Sequence, residues 1–456
     1  MTLTGQKPIP KSNKYMFIKT YGCQMNVYDS DRMLELLQPL GYKKTDNPAQ
    51  ADLIILNTCH IREKATEKVF HDIGRVKKKF RNRKKPILII SGCVAQAEGD
   101  ILIQKEKYID AVIGPQSYQN INEIIKNIEN RNIRTESTEF DVVQKFDSLN
   151  KIKKLSNKIS SYLTIQEGCD KFCKFCVVPY TRGAEFSRPT KELIEEAKDL
   201  AKNGAKEITL LGQNVNAYSH DQQKLSTLIS RLSEIKDIKR IRYSTSHPKD
   251  FTKDLIEAHK STNKKLMPLI HLPAQSGSNN ILQEMNRKHT VQDYLEIIDK
   301  LKAVNPKVKF SSDFIIGYPG ETENDFNDTL NLLNKIEFIN CFSFIFSPRP
   351  GTPAAKLTEI DYNVSKKRLT IFQKTAEKIK LKYKKSLFNK TTLVLFENKT
   401  KIKNEFFGRD EYWNPVIVKT KQNLKGKLRE VKITGGNQNT LYGEIDEKLK
   451  ERDFAA

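Results

Sequence analysis

Cysteine is scarce in this chain of 456 residues, with only seven, and tryptophan occurs once. So few cysteines exclude a disulfide-stapled scaffold, and a cytoplasmic chain would keep them reduced. No apolar run approaches the roughly 18 residues that a membrane-spanning helix needs. The N-terminal stretch MTLTGQKPIPKSNKY also lacks the apolar core of a secretory signal. We therefore expect a soluble, cytoplasmic protein with no membrane partner, and a monomer by default.

Acidic residues are also in deficit. Asp and Glu number 55 against 79 Lys and Arg, which gives a formal net charge of +24. An excess of this size favours a polyanionic partner, and nucleic acid is the usual one. A general bias of the composition toward lysine would give the same excess without any partner, so the charge supports this interpretation without deciding it.

Short apolar runs in the first part of the chain predict buried parallel strands: 15–19 (YMFIK), 53–56 (LIIL) and 87–90 (ILII). A helix is predicted from Asp31 to Leu40, with Asp29 or Ser30 as its N-cap and Gly41 at its end. Strands that alternate with helices indicate an α/β domain with an open parallel sheet, which we place at residues 13–130.

The polar stretch 131–158 is predicted to be a linker, and a second alternation of strands and helices follows at 159–385. Its predicted strands are Tyr162–Gln166, Glu207–Leu211, Arg240–Ser244, Leu269–Leu272, Lys309–Ile316 and Phe342–Phe346. Helices are predicted between several of them, for example Thr190–Asn203 and Gln292–Val304. Six β/α units are too few for a closed eight-stranded barrel. We therefore expect a partial (β/α)6 barrel with its functional residues at the carboxyl ends of the strands.

After a Lys-rich helical stretch, Val364–Lys385, residues 386–450 change to short alternating runs that predict a small all-β barrel of the type that binds oligonucleotides. Its predicted strands are Thr392–Phe396, Pro415–Lys419, Arg429–Ile433 and Leu441–Ile445. Basic residues lie close to aromatic ones here, a pattern that suits RNA because phosphates give affinity and bases stack on rings. The candidate RNA contacts are Trp413, Lys419, Lys421, Lys425, Lys427 and Arg429. Several rings of this region must instead fill the barrel core.

Cys169, Cys173 and Cys176 have a Cys-x3-Cys-x2-Cys spacing just after a predicted strand. A closed zinc site needs more ligands, and the nearest further Cys or His is His220. Three thiolates can instead bind three irons of a 4Fe-4S cluster and leave the fourth iron open to a ligand. This spacing, with Phe175 before the last cysteine, is the signature of radical S-adenosylmethionine (SAM) enzymes.

Cys23, Cys59 and Cys93 are far apart in sequence, but each follows the end of a predicted parallel strand. Since the carboxyl ends of parallel strands form the ligand crevice of an open sheet, we expect the three to converge. Gly22 and Gly92 precede two of them and permit tight turns. The alternative is three ordinary buried cysteines. The repeated placement at strand ends favours a second three-cysteine cluster.

Other candidates follow the predicted barrel strands, where the polar groups of SAM need partners. They are Gly212, Gln213, Asn214, His247, Gln275, Asp313 and Gly317, together with Phe175 of the cysteine motif. Simple turns after strands, or a structural histidine, would explain some of these residues equally well.

The sequence as a whole resembles the bacterial methylthiotransferases. The matching segments, in the order found in that family, are TYGCQMNVYDSDRM, LNTCHIREKA, SGCVAQ, IQEGCDKFCKFCVVPYTRGAEFSRP, LLGQNVNAY, RYSTSHP, HLPAQSGSNNILQEMNRKHT, DFIIGYPGET and FSPRPGTPAA. The resemblance implies an N-terminal methylthiotransferase domain, a radical-SAM core and a C-terminal TRAM domain. It also implies two 4Fe-4S clusters, one on Cys169, Cys173 and Cys176 that binds and cleaves SAM, and an auxiliary one on Cys23, Cys59 and Cys93.

The activity implied by the resemblance is 2-methylthiolation of N6-dimethylallyladenosine at position 37 of tRNA. One SAM would be the methyl donor and a second the source of a 5′-deoxyadenosyl radical. A reducing electron donor and the iron–sulfur assembly machinery would be partners. Other members of the family act on threonylcarbamoyl-adenosine in tRNA or on an aspartate of a ribosomal protein. A non-catalytic iron–sulfur RNA-binding protein is the alternative from another class.

Overall fold

The computed structural model describes residues 14–60, 65–131, 133–150, 152 and 157–445. The predicted domain start at residue 13, the end of the last domain at 446–450 and most of 151–156 lie outside these residues. The chain divides into two compact units, Met1–Leu155 with Tyr180–Gly183, and Ser156–Pro179 with Ala184–Ala456. Within the described residues, no helix is both long and apolar enough to cross a bilayer.

The first unit contains a six-stranded sheet whose neighbours are all parallel, with strand order β2-β1-β3-β4-β5-β6. Its strands are β1 (Lys14–Thr20), β2 (Tyr42–Lys44), β3 (Leu53–Thr58), β4 (Ile87–Gly92), β5 (Ala111–Ile113) and β6 (Thr135–Ser137). The three strands predicted from apolar runs are confirmed as β1, β3 and β4. All six residues of β3 are buried, as expected for a central strand covered on both faces.

The helices of this unit are α1 (Gln24–Leu37), α2 (Ala65–Lys79), α3 (Cys93–Lys105), α4 (Ile121–Arg131) and α5 (Val142–Asn150). The predicted start of the first helix was wrong, because Cys23, and not Asp29 or Ser30, is the N-cap residue. The core-facing side of the helix already begins with Met25 and Tyr28, and these residues are 6% and 1% exposed. The helix therefore starts directly after the turn that follows β1.

The stretch 131–158 is not the featureless linker that its polar composition suggested. Thr135–Ser137 forms β6 and pairs with β5, and Val142–Asn150 forms α5. Phe146 and Leu149 of that helix are buried. Two well-placed apolar residues are enough to dock a short helix, although they barely change the average polarity of the stretch.

The second unit places six parallel strands in two three-stranded sheets, with orders β13-β10-β7 and β14-β15-β16. These strands are β7 (Ser160–Thr164), β10 (Glu207–Leu211), β13 (Arg240–Ser244), β14 (Leu269–His271), β15 (Lys309–Ile316) and β16 (Asn340–Ile345). Shorter two-residue strands are β8 (Gln166–Glu167), β9 (Phe186–Ser187), β11 (Ser219–His220) and β12 (Gln223–Lys224). A parallel bridge between Ile241 and Leu266 connects β13 to the segment before β14. The strands predicted for this region are confirmed, three of them with the predicted bounds.

Most of the remaining helices pack against these sheets around one large apolar core. They are α7 (Thr190–Lys202), α8 (Leu225–Ser233), α9 (Lys253–Ala258), α10 (Asn279–Glu284), α11 (Val291–Val304), α12 (Glu323–Ile336) and α13 (Tyr362–Lys385). One five-residue helix precedes them, α6 (Val178–Arg182), whose last residues belong to the first unit. Thr290 and Thr322 form capping boxes at the starts of α11 and α12.

The C-terminal part forms a closed five-stranded barrel in the order β17-β18-β19-β21-β20. Its strands are β17 (Thr391–Lys399), β18 (Glu405–Arg409), β19 (Pro415–Lys419), β20 (Leu428–Gly436) and β21 (Leu441–Glu444). The predicted small barrel is confirmed, and β18 is the strand that the sequence reading missed. Phe396, Phe406, Val418 and Ile433 lie in its buried core.

Two buried arginines of β13 attach this barrel to the rest of the second unit. Arg240 donates to the carbonyl oxygens of Arg409 and Leu393, at 2.8 and 2.7 Å. Arg242 donates to the carbonyls of Glu411 and Asp410, both at 2.9 Å. Glu207 of β10 is also buried and lies 3.0 Å from Nε of Arg242. These charges lie in a dry environment only because each has a partner.

Candidate cofactor sites and nucleic-acid interface

The first unit brings Cys23, Cys59 and Cys93 to one edge of its sheet. Cys23 follows β1 and caps α1, Cys59 follows β3, and Cys93 is the first residue of α3 after β4. These three strands are adjacent, in the order β1-β3-β4. Cys59 and Cys93 are 5% and 7% exposed. The convergence that was predicted from strand ends is therefore the arrangement found.

Two glycines allow the turns that bring these cysteines together. Gly22 and Gly92 have φ angles of +88° and +89°, in the region that residues with a side chain rarely adopt. A Cβ at Gly22 would lie 2.5 Å from the Sγ of Cys59, and one at Gly92 would lie 2.3 Å from the carbonyl oxygen of Thr58. Both positions need glycine for conformation and for space.

A hydrogen bond between cysteines, burial and the charge of Arg182 together determine the electrostatics of this triad. A hydrogen bond from Cys59 is the main cause that lowers the pKa of the Cys23 thiol to about 6, and the charge of Arg182 acts in the same direction. Burial raises the pKa of the Cys93 thiol, while the charge of Arg182 and a hydrogen bond from it oppose that rise. Thiolates, the form that binds metals, are thus favoured at Cys23.

The second unit holds Cys169, Cys173 and Cys176 in the loop between β8 and α6. The amide of Cys176 donates to the carbonyl of Cys173 at 2.9 Å, which makes a tight turn between them. Met285 and Asn286, which follow α10, anchor this loop. The carbonyl of Met285 accepts from the amide of Lys174 at 3.0 Å, and the side chain of Asn286 donates to the carbonyl of Phe172 at 2.9 Å.

Arg287 adds a buried positive charge beside this triad. Its Nη1 donates to the Sγ of Cys173 at 3.5 Å, and its Nη2 donates to the carbonyl of Pro273 at 2.9 Å. Burial raises the pKa of Cys176 to about 12 and that of Cys169 to about 11. Without bound cations these thiols stay protonated, so a metal that displaces their protons is required to make them thiolates.

Each triad offers three thiols, the donor set for three irons of a 4Fe-4S cluster. In the described parts of the chain, no three His, Cys, Asp or Glu side chains are close enough to hold one metal ion. An iron–sulfur cubane differs, because each thiolate binds a separate iron and the three sulfurs stay further apart. All six cysteines are free of disulfides, and each triad has an arginine beside it.

The predicted GQN segment follows β10 and lies next to the cysteine loop. The amide of Asn214 donates to the side-chain oxygen of Gln166, and the Asn214 side chain donates to Asp250 at 2.7 Å. Asp250 in turn accepts from the amino group of Lys171 at 2.7 Å, and Lys171 belongs to the cysteine loop. A Cβ at Gly212 would lie 2.6 Å from the Gln166 side chain. The carbonyl oxygens of the Gln213 and Asn214 side chains are buried and accept no hydrogen bond from the residues that the structure describes.

His247 lies after β13 on the same side. Its Nδ1 accepts from the amide of Lys249 at 3.1 Å, and its buried Nε2 has no hydrogen-bond partner within the described part of the chain. His289 contacts its ring edge-on at 5.7 Å between centroids. Burial, followed by the charge of Arg287, strongly lowers the pKa of His247, so the ring is neutral. A neutral imidazole with an unused nitrogen can bind a polar ligand, as proposed from the sequence.

The later candidates separate into different roles. Gln275 has a φ of +74° and forms backbone hydrogen bonds with β15. Asp313 is partly exposed, with its carboxylate 3.4 Å from Nε2 of His271. Gly317 has a φ of +72°, and a Cβ there would lie 2.3 Å from the Ser365 hydroxyl of α13. Close packing against Ser365 therefore explains why glycine stands at this position.

Phe175 lies against the small apolar cluster around Met285 and Tyr318.

An exposed aromatic face lies on β16, and the sequence reading had not singled it out. Phe342 and Phe344 are 49% and 46% exposed. They pair in register with Asp313 and Ile315, so their side chains share the face of the sheet that α13 does not cover. Phe342 also contacts the ring of His271 edge-on, at 6.3 Å between centroids.

The candidate RNA contacts on the C-terminal barrel divide into exposed and packed residues. Lys419, Lys421 and Lys425 are exposed, whereas Lys427 and Arg429 are partly buried. Trp413 does not present a free ring, since Arg242 and Arg409 lie 5.6 and 5.9 Å from it. The contact of Trp413 with RNA stays a prediction. Its ring packs on Arg242, one of the two arginines that attach the barrel.

Sequence reasoning missed four charged residues that surround the cysteines: Lys171, Arg182, Asp250 and Arg287. Arg182 and Arg287 lie in segments that were noted for other reasons, PYTRG and MNRKH. Arginine is seldom fully buried unless it is paired, and neither segment shows in sequence that its arginine has a partner. The partners that place them at the sites, Asp29 for Arg182 and Cys173 for Arg287, are 153 and 114 residues away and are visible only in the fold.

Two family models match the chain. The one described as "Uncharacterized protein family UPF0004" matches residues 15–114, and the radical SAM superfamily model matches residues 163–333. Among solved structures, the radical SAM methyltransferase TsrM from Kitasatospora setae is similar, with a TM-score of 0.54 at 11% identity over 75% of this chain and 77% of that one. At that identity the likeness shows the fold alone.

Similarity to curated proteins extends over nearly the full length. The tRNA-2-methylthio-N(6)-dimethylallyladenosine synthase of Pelagibacter ubique (strain HTCC1062) is 55% identical over 96% of this chain and 99% of the relative. The protein of the same name from Rickettsia canadensis (strain McKiel) is 48% identical over 95% and 99%. With both cysteine triads in place and this similarity across both units, the chain belongs to the tRNA-2-methylthio-N(6)-dimethylallyladenosine synthase family of radical SAM proteins.

Proposed function

We propose that this protein is a tRNA methylthiotransferase that converts N6-dimethylallyladenosine at position 37 of tRNA to its 2-methylthio derivative. The observation that carries the proposal is the full-length similarity to enzymes of that name, together with two cysteine triads of different geometry. We assign one 4Fe-4S cluster to each triad. Cys169, Cys173 and Cys176 hold the one that binds SAM, and Cys23, Cys59 and Cys93 hold the auxiliary one.

The bound cofactors supply reductive cleavage of SAM to a 5′-deoxyadenosyl radical, hydrogen abstraction from C2 of the adenine, and a methylated sulfur for insertion there. The protein supplies position and charge. Arg287 neutralises negative charge at Cys173, while Lys171 and Asp250 join the cysteine loop to the Asn214 segment. The unpaired Nε2 of His247 and the side-chain oxygens of Gln213 and Asn214 are polar groups available to SAM.

The exposed face of β16 suits the proposed substrate. An adenine with a dimethylallyl group on N6 has an aromatic face and an apolar branch, and both favour contact with Phe342 and Phe344. Base–aromatic stacking contributes about 1–3 kcal/mol per base. The carboxylate of Asp313 and the ring of His271 lie beside the phenylalanines and can accept or donate hydrogen bonds to the base.

The two sheets of the second unit serve in this proposal as a partial (β/α)6 radical-SAM barrel, and the C-terminal barrel as a TRAM domain. The exposed residues Lys419, Lys421 and Lys425 would contact tRNA phosphates. The partly buried Lys427 and Arg429 would lie at the edge of this contact surface. Turnover further requires a low-potential electron donor, and assembly of the clusters requires the cell's iron–sulfur machinery. We propose that the protein acts as a monomer in the cytoplasm.

The test is nucleoside analysis of tRNA from a strain that lacks the gene, with and without the plasmid-borne chain. We expect the 2-methylthio derivative of dimethylallyladenosine to disappear and the unthiolated nucleoside to accumulate, with recovery on complementation. Unchanged levels of this nucleoside would contradict the proposal. Loss of the methylthio derivative of threonylcarbamoyl-adenosine, or of a modified ribosomal-protein aspartate, would indicate one of the two related activities instead. Purified protein with full iron content that fails to cleave SAM under reductant would favour the non-catalytic alternative.

A further inference from the structure

Arg182 is buried among the elements that carry the first cysteine triad. It is 3% exposed, and its Nη2 donates to Oδ2 of Asp29 at 2.8 Å and to Oδ1 of Asn26 at 3.2 Å. Both acceptors belong to α1, the helix that Cys23 caps. The guanidinium also makes a hydrogen bond to Cys93, the first residue of α3. One side chain therefore connects the helix that Cys23 caps with the helix that begins at Cys93.

The backbone of Arg182 is fixed as well. Its carbonyl oxygen accepts from the side chain of Gln116 at 3.1 Å, and Asp29 is held on its other side by the buried Lys145 at 3.7 Å. Arginine keeps its charge in proteins, so the guanidinium is a permanent cation at this position. A permanent cation with several donors in a rigid fork can both orient thiolates and lower the energy of added negative charge.

We propose that Arg182 is a positioning residue of the auxiliary cluster. Its side chain fixes the positions of Cys23 and Cys93 relative to each other, and its charge raises the reduction potential of the cluster. The inference rests on the assignment of that cluster under the proposed function. On reduction, one electron from an external low-potential donor makes the cluster one unit more negative, and no bond forms or breaks. Net charge near the cluster and hydrogen bonds to its sulfurs are the factors that set such potentials. Arg182 provides both.

Arg182 lies close in sequence to the cysteines of the second triad. It follows the last cysteine of the other triad by six residues, yet it belongs to the first unit together with Cys23 and Cys93. The same short segment thus begins with a ligand of one proposed cluster and ends with the residue that positions the other.

The experiment isolates the auxiliary cluster in the full chain by replacing Cys169, Cys173 and Cys176 with alanine. The protein is purified anaerobically, and a redox titration with dithionite and mediators is followed by electron paramagnetic resonance. In this background Arg182→Met should lower the equilibrium constant for reduction at least tenfold, which is about 59 mV for a one-electron couple. Arg182→Lys, which keeps the charge, should recover most of the shift.

Asp29→Asn provides a test of opposite sign. It removes the carboxylate that partly neutralises Arg182, so the potential should rise. The matched control is Arg32→Met, because Arg32 is an equally buried arginine of α1, 2% exposed, which is paired with Glu35 at 2.8 Å. The potential of this control should not change. Shifts of opposite sign at Arg182 and Asp29 would not arise from loosened packing.

The proposal is overturned if Arg182→Met retains a full cluster at the unchanged potential, or if Arg32→Met shifts the potential as much. Where Arg182→Met loses iron, recovery of iron by Arg182→Lys and its retention in Arg32→Met support the positioning role, and loss in all three contradicts it. If the background protein with an intact Arg182 binds no cluster, the two-cluster assignment has failed, which is a separate result from a failure of the Arg182 proposal.

Discussion

Nη1 of Arg287 lies 3.5 Å from the Sγ of Cys173, although the two residues are 114 positions apart in the sequence. The arginine is 5% exposed, and its other arm is bound to the carbonyl of Pro273. A buried cation therefore stands beside the proposed SAM-binding cluster before any ligand arrives.

Arg287→Met should reduce SAM cleavage about 10- to 100-fold, the usual cost of losing a group that orients a metal ligand. Arg287→Lys should lose less SAM cleavage activity, because lysine keeps the positive charge but cannot bond to Cys173 and Pro273 at once as the guanidinium does. The measurement is 5′-deoxyadenosine formation per cluster, after iron content has been matched. Equal rates in the methionine variant and the parent would show that the contact with Cys173 has no catalytic consequence.

The two cysteine triads should fail in different ways. Cys173→Ala should abolish SAM cleavage, whereas Cys59→Ala should keep cleavage and lose sulfur insertion. The iron content of each variant should fall from about eight to about four irons per chain if each triad holds one cubane, as proposed. Iron counting, 5′-deoxyadenosine assay and nucleoside analysis on the same samples check this. Normal yield of methylthio product from Cys59→Ala would refute the auxiliary role.

Gly22→Ala should disrupt the first triad. The new Cβ would lie 2.5 Å from the Sγ of Cys59, and the φ of +88° is strained for alanine. We expect loss of about half of the bound iron with the far-ultraviolet circular dichroism retained. Gly74→Ala is the control, since Gly74 lies within α2 and has no atom within 4 Å of an added Cβ. It should keep its iron and gain about 0.5–1 kcal/mol in the free energy of unfolding. Equal iron in both variants would contradict the steric argument.

Phe344→Ala should weaken the binding of tRNA that carries dimethylallyladenosine, with a loss of about 1–3 kcal/mol. Cleavage of SAM without tRNA should be unchanged, because the side chain is assigned to the nucleobase. The affinity of Phe344→Leu for this tRNA should lie between those of the parent and of Phe344→Ala, because leucine keeps apolar contact with the dimethylallyl group but cannot stack on the base. The control is Tyr362→Ala, because Tyr362 is an exposed aromatic residue at the start of α13. Its affinity for tRNA should equal that of the parent. Affinity for tRNA with and without the modification distinguishes base stacking from contact with phosphates.

The sequence predicts which strands and helices this fold contains better than it predicts where a helix starts or what it packs against. Apolar runs such as 53–56 identify buried strands because burial on both faces leaves few polar residues. The start of α1 was misplaced because Cys23 caps the helix with backbone geometry and makes no side-chain cap hydrogen bond, so no Ser, Thr or Asp signal marks it. The docking of α5 through Phe146 depends on a neighbouring surface that only the fold creates.

Among the site residues, the local and dispersed signals also differ. The spacing of Cys169, Cys173 and Cys176 can be read directly, and Cys23, Cys59 and Cys93 become visible once the strands are placed. Arg182 and Arg287 could not be assigned, because each is defined by partners more than a hundred residues away. The packing of Trp413 on Arg242 could not be predicted for the same reason, since Arg242 comes from a different part of the second unit.

The attachment of the C-terminal barrel uses main-chain acceptors, four carbonyl oxygens that receive the guanidinium groups of Arg240 and Arg242. Every amino acid offers the same carbonyl. The barrel can therefore exchange almost any of its surface side chains during evolution and stay in place, provided that its backbone path at these four positions is kept. The attachment of the barrel is thus encoded separately from its surface side chains, so the side chains proposed to contact RNA can diverge without loss of the attachment.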